Sequence, residues 1–151
     1  MNKSSIPECV VGFMFNDKPT EVALILKRRP VWQFGKLNGI GGHVEQTESP
    51  LKAMVREFKE ETGSDTQYVD WHCYAVITFP ATKLFCYASR CGGAFGLCST
   101  GSERIEITKV RSVYPLREDL VAHVPWLVSC AIGNLIDPDM YGIVNMTVDA
   151  I

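Results

Sequence analysis

The chain has 151 residues, 46% of them hydrophobic and 21% charged, and carries a formal net charge of −2. This length supports one core without staples, and the charge leaves no electrostatic footprint for nucleic acid or an anionic membrane surface. No apolar run reaches the roughly 18 residues of a membrane span and Met1–Val10 lacks the apolar centre of a signal peptide, so a cytoplasmic protein with neither nucleic-acid nor membrane partner is expected.

Taken in chain order, Glu8–Phe15 and Glu21–Lys27 read as strands joined by the turn Asn16-Asp17-Lys18-Pro19. Leu37–Ile40 is short and extended. Ser49-Pro50 opens a helix, since Ser caps and Pro is tolerated at the first helical position, and Gly63 ends it. Tyr68–Phe79 and Lys83–Ser89 form a strand pair around Pro80-Ala81, and Cys91–Gly101 reads as a mobile loop. Arg104–Val113 alternates like a strand. Glu118–Leu135 reads as a second helix, with Pro125 in its first turns or kinking it. Tyr141–Val148 supplies an edge strand. The six cysteines, Cys9, Cys73, Cys86, Cys91, Cys98 and Cys130, show no zinc spacing. Thiols are expected, with a Cys91–Cys98 disulfide the alternative.

The densest chemistry lies in Gly42–Ser64, GHVEQTESPLKAMVREFKEETGS. Leu51, Met54, Val55 and Phe58 follow helical spacing and predict a buried stripe. At roughly 100° per residue, Glu57, Glu60 and Glu61 share an arc of about 100° beside that stripe. Arg56 points elsewhere, toward Glu60 one turn on or Glu48 in the preceding loop. Like charges on one face repel by a few tenths of a kcal/mol, roughly, and a hard divalent cation removes that cost by taking carboxylate oxygens as ligands. A charged, solvated helix face is the alternative. The loop Leu37-Asn38-Gly39-Ile40-Gly41-Gly42-His43-Val44 favours the first reading. Its small residues let backbone approach a ligand such as a pyrophosphate.

This segment resembles the Nudix box, GX5EX7REUXEEXGU, where U is bulky and apolar. Gly42, Glu48, Arg56, Glu57, Phe58, Glu60, Glu61 and Gly63 match, while Ser64 stands at the final U and Thr47 replaces a frequent glycine. The resemblance implies an α/β fold, an α/β/α sandwich with a mixed sheet, in one domain spanning residues 1–151. It implies a pyrophosphohydrolase acting on nucleoside diphosphates linked to a further group. It further implies Mg²⁺, or Mn²⁺, held by Glu57 and Glu61 with Glu60 and the Gly42 carbonyl. Glu48 and Arg56 form a supporting salt bridge. A later loop supplies the acid/base group, for which Glu103 and Glu106 are the candidates, Glu103 preferred. Apart from the resemblance, Lys27, Arg28 and Arg29 end a strand that points toward the box loop, and one of them, Arg28 being the residue named, is expected to contact phosphate, a surface role being the alternative for each. A non-catalytic nucleotide-binding module is a further alternative; such modules lose box glutamates, and all are present.

The group beyond the diphosphate divides the family. Leu37–Val44 is similar to the W-N-G-F-G-G-K-V run of the branch that cleaves nucleoside triphosphates, with Leu37 in place of tryptophan. There Asn38 is the residue expected to contact a purine base, a turn amide being its other role. Pro80, past the box, matches a proline of ADP-ribose-cleaving relatives and equally suits a hairpin turn. Hydrolysis of a (d)NTP to the monophosphate and pyrophosphate is the expectation, with ADP-ribose or another nucleoside-diphosphate sugar as the alternative. A monomer and a homodimer are equally compatible with the sequence.

Overall fold

The computed structural model describes residues 5–91, 95–114 and 117–150. Eight strands join in one mixed sheet: β1 (Glu8–Phe15), β2 (Glu21–Leu26), β3 (Leu37–Asn38), β4 (Ile40–His43), β5 (His72–Thr78), β6 (Lys83–Arg90), β7 (Arg104–Lys109) and β8 (Val144–Thr147). Helix α1 (Pro50–Thr62) and helix α2 (Val124–Ile136) complete it. The sheet centres on β1, whose sequence is nearly all apolar, as a strand covered on both faces requires. Its side chains alternate. Val11, Phe13 and Phe15 join the core that holds Leu127, Val128 and Ala131 of α2. Val10 and Met14 join the core that holds Ala53, Met54 and Phe58 of α1. The result is the α/β/α sandwich, one helix to each face.

The sheet forks around β1. Along one side β1 runs parallel to β6 over its whole length. Along the other, its C-terminal end pairs with β2 (Met14 with Ala23) and its N-terminal end pairs with β4 (Cys9–Gly12 with His43–Ile40). β3 stays on β2, so the chain passes from β2 to β1 across Gly39. β7 then pairs antiparallel with β2 over Glu21–Leu26. This fork brings residues far apart in sequence to one end of the sheet.

Four elements differ from the sequence reading. The extended run from Leu37 continues to His43, so Gly41 and Gly42 lie in a strand rather than a loop. The strands expected from Tyr68 and to Val113 are trimmed by single turns at Tyr68–Asp70 and Val110–Ser112. The second helix starts at Val124 instead of Glu118. Pro125 sits in its first turn, and residues before it bridge to Leu37: the Leu37 amide donates to the Asp119 carbonyl at 2.8 Å and the Val121 amide to the Leu37 carbonyl at 2.9 Å. β8 is the expected edge strand, parallel to β5. No disulfide joins the described cysteines. Cys91 and Cys98 donate instead to the Phe15 and Thr62 carbonyls. Residues 92–94, inside the Cys91–Gly101 loop, lie outside the described residues, as do the first four of Met1–Val10. Among the described residues no helix is long and apolar enough to cross a membrane.

Candidate active site

Helix α1 carries the acidic cluster, and its ends are those the sequence predicts. The Ser49 hydroxyl accepts from the Lys52 amide at 3.3 Å, Pro50 follows, and Gly63 closes the helix in the left-handed conformation at φ 72°. The buried face is wider than expected. Ala53 and Thr62 are buried with Met54 and Phe58, whereas Leu51 and Val55 are only half-buried. The widened arc encloses Glu57 and Glu61 instead of leaving them beside it. They fit there because β4 offers glycines. A Cβ on Gly42 would lie 2.5 Å from the Glu57 carboxylate, and one on Gly41 would overlap the Val10 carbonyl. Gly41 donates its amide to Glu61 Oε2 at 3.2 Å. Glu60 stands outside this contact, with its side chain 57% exposed against 15% for Glu57.

Arg56 ties the box together. Its guanidinium meets Glu48 twice, at 2.5 Å and 3.2 Å, Glu57 at 2.8 Å, Glu60 at 3.3 Å and the His43 carbonyl at 3.0 Å. The expected Glu48–Arg56 bridge is therefore present, and Arg56 also reaches Glu57 and Glu60 of the acidic cluster. The guanidinium holds Glu48 below the usual carboxylate range, and Glu48 in turn pushes Arg56 upward. Glu61 behaves oppositely. Burial raises its pKa from 4.5 to about 7, nearby Lys27 opposes this, and the charges of Glu57 and Glu103 add to it.

These groups line an open cleft of about 1260 Å³ at the fork of the sheet. Its lining includes Gly41, Gly42, Arg56, Glu57, Glu60 and Glu61, together with Lys27, Arg29, Pro30, Trp32, Gln33, Asn38 and Glu103. Glu103 binds the Lys27 ammonium at 2.7 Å and accepts from the Arg28 amide at 2.8 Å. Burial pushes the Glu103 carboxyl up, but Lys27 and the Arg28 amide outweigh that and hold it below its ordinary value. Glu106 is turned away and pairs with Arg104 on the strand surface. Of the two acid/base candidates, only Glu103 lines the cleft. Arg28 reaches Glu103 through its backbone amide and is not part of the cleft lining, which of the basic triplet includes Lys27 and Arg29. Asn38 lines the cleft but is 8% exposed, with its oxygen accepting from the Gly39 amide at 2.8 Å and its nitrogen donating to Gln33 at 3.0 Å. Pro80 lies in the turn between β5 and β6, closed by the Phe79 amide on the Thr82 carbonyl; Phe79 and Thr82 line the cleft, and Pro80 does not.

The donor set suits a hard divalent cation. Carboxylate oxygens gather under two glycines, and burial first, then the neighbouring carboxylate charges, raise Glu61. Among the described residues, no three acidic, histidine or cysteine side chains already converge as a closed ligand shell. Arg56 and Lys27 hold Glu57, Glu60 and Glu103 in ion pairs instead. Trp32 and Gln33 line the cleft and were not candidates in the sequence. A tryptophan three positions after the basic triplet Lys27-Arg28-Arg29 was the available signal.

A family model for the NUDIX domain matches residues 7–119. No curated protein matches the chain. Among solved structures, MutT described from Aliivibrio salmonicida and Vibrio cholerae superposes with a TM-score of 0.65 at 22% identity, covering 82% of this chain and 97% of that one. A MutT/nudix family protein from Enterococcus faecalis gives 0.74 at 15% identity, covering 91% and 64%. The NUDIX domain of Shewanella oneidensis NrtR, complexed with ADP ribose, gives 0.72 at 15% identity, covering 87% and 90%. At these identities the structures share the fold. Because the family model spans most of the chain, and covers the strand, helix and cation-lined cleft just described, the chain belongs to the Nudix hydrolase family.

Proposed function

We propose that this Nudix hydrolase cleaves the α–β phosphoanhydride of a (d)NTP, giving the monophosphate and pyrophosphate, with Mg²⁺ or Mn²⁺. The observation that carries the reading is the composition of one cleft. Its lining combines the carboxylates Glu57, Glu60 and Glu61, the cations Lys27, Arg29 and Arg56, and the aromatic Trp32. A polyanion with an aromatic base requires charge and an apolar face together.

Glu57 and Glu61, with Glu60 and the Gly42 carbonyl, would hold the divalent cation. Bound there, Mg²⁺ supplies the positive charge that offsets the phosphate oxygens and makes a water acidic enough to attack. Arg56 keeps Glu48 and Glu57 in register with β4, so the carboxylates are placed before substrate arrives. Lys27 and Arg29 bind phosphate oxygens; Lys27 can leave Glu103 to do so. Glu103, then freed and ionised, accepts a proton from the attacking water as the bridging P–O bond breaks. The Arg28 amide holds Glu103 in place during this exchange. A cytoplasmic site of action fits the thiol state of the described cysteines.

ADP-ribose is the second reading. The NrtR domain of the same fold was crystallised with ADP ribose. Against it, Pro80 is absent from the cleft lining and acts as a turn residue. The test is product analysis with Mg²⁺ over NTPs, dNTPs, ADP-ribose, FAD and dinucleoside polyphosphates. A (d)NTP should give the highest kcat/KM. A preference of more than about tenfold for ADP-ribose, roughly 1.4 kcal/mol of discrimination, would reverse the order of the two readings.

A further inference from the structure

We infer that Trp32 and Gln33 form the base-reading wall of the cleft, Trp32 as a stacking platform and Gln33 as a hydrogen-bond donor that selects oxo-bases over amino-bases. This rests on the nucleotide reading above and names the feature of the nucleotide that the site selects.

Two observations carry it. The first is the apolar turn after Pro30. Val31, Trp32 and Phe34 are 93%, 61% and 67% exposed, an unusual concentration of large apolar surface on one short turn. Pro30, Trp32 and Gln33 line the same cleft as the carboxylates and Lys27. An exposed indole on the wall of a phosphate-binding cleft offers a face for an aromatic base, and stacking tolerates any base.

The second is an amide relay whose direction is fixed by the backbone. The Gly39 amide can only donate, so the atom of Asn38 that meets it at 2.8 Å is the oxygen. The Asn38 nitrogen therefore faces Gln33, and the atom of Gln33 that meets it at 3.0 Å must be the oxygen. That leaves the Gln33 Nε2 group, with two N–H donors, for the cleft that Gln33 lines. Among the described residues nothing accepts from it. A donor at this point pairs with a carbonyl, such as guanine O6 or thymine and uracil O4. It opposes the amino groups that adenine and cytosine present at the corresponding edge. Asn38, being 8% exposed, sets the orientation and is a positioning residue.

The experiment is a titration of intrinsic tryptophan fluorescence, with Mg²⁺, using non-hydrolysable α,β-imido analogues of dGTP, dTTP, dATP and dCTP. A Trp32→Phe variant identifies the Trp32 component against the buried Trp71 and the α2 residue Trp126. The guanine and thymine analogues should quench Trp32 and bind about tenfold more tightly than the adenine and cytosine analogues, the scale of one hydrogen bond. Gln33→Glu, which turns the donor into an acceptor, should reverse that order, and Gln33→Met should erase it. Trp32→Ala should weaken all four about tenfold or more. The absence of a Trp32 signal, or a base ranking unchanged in both Gln33 variants, overturns the inference. Hydrolysis of nucleotides with an unchanged ranking would sink this inference and leave the proposed reaction standing. Base-selective binding without hydrolysis would do the reverse.

Discussion

Arg56→Ala removes the one cation that holds the box together. The side chain makes five hydrogen bonds, to Glu48, Glu57, Glu60 and the His43 carbonyl. Its loss leaves two largely buried carboxylates, Glu48 and Glu57 (side chains 12% and 15% exposed), without their counter-charge beside Glu60. Removing one partner of a buried ion pair costs about 3–5 kcal/mol. Arg56 itself is 26% exposed, so screening discounts this to about 2–3 kcal/mol. For a chain of this size that corresponds to a fall in Tm of roughly 5–10 °C. A divalent cation can take over part of the lost charge, so millimolar Mg²⁺ should restore more of the Tm of Arg56→Ala than it adds to the wild type. Thermal denaturation followed by circular dichroism, with and without Mg²⁺, reads both effects. A variant that melts with the wild type in EDTA would refute the claim that this network carries stability. Equal Mg²⁺ increments in the two proteins would refute the claim that the network and the cation share the same carboxylates.

Two further outcomes follow from the same geometry. Glu61 is raised from 4.5 to about 7, so the folded chain holds its proton more tightly than the unfolded chain between those values. Its contribution to stability is complete below 4.5 and is lost as pH rises through about 7, while a cation must displace that proton to bind. The Mg²⁺-induced rise in Tm should therefore be larger at pH 8 than at pH 6, and Glu61→Gln should remove the difference; a rise independent of pH in the wild type contradicts the assignment. Glu103→Gln should lower kcat more than it raises KM, because Glu103 is ionised and in the cleft but bound to Lys27 before substrate arrives. Steady-state kinetics on the best nucleotide checks it, and an effect confined to KM would make Glu103 a positioning residue for Lys27.

The parts of the site legible in the sequence were those fixed by local spacing. The Ser49 cap, the Gly63 stop, the one-face glutamates and the Glu48–Arg56 pair all lie within a single loop and helix, where periodicity translates directly into geometry. What could not be read depends on pairing between distant strands. Choosing among Lys27, Arg28 and Arg29 requires knowing that β7 lies on β2 with Leu26 opposite Arg104, which puts Glu103 beside Lys27. The preference for Glu103 over Glu106 gains its physical reason from the same pairing: Glu106 lies opposite Leu24 and pairs with Arg104 on the strand surface. The helical pattern of residues 118–123 was overridden by backbone pairing with Leu37, a contact across more than half the chain. The width of the buried face of α1 was also hidden, because it depends on the two glycines of β4 leaving space for carboxylates. Trp32 and Gln33 belong to no spacing pattern, and only their place on the cleft wall gives them meaning.

The central claim is that Glu57 and Glu61 together hold the cation that drives phosphoanhydride cleavage. Its most direct test is Mg²⁺-dependent release of pyrophosphate from the preferred nucleotide by the wild type, Glu57→Gln and Glu61→Gln. The account predicts activity that vanishes in EDTA and returns with Mg²⁺ or Mn²⁺, and a kcat at least about a hundredfold lower in each variant, the scale of losing one transition-state electrostatic contact. Wild-type turnover by either variant, or undiminished turnover in EDTA, would contradict it.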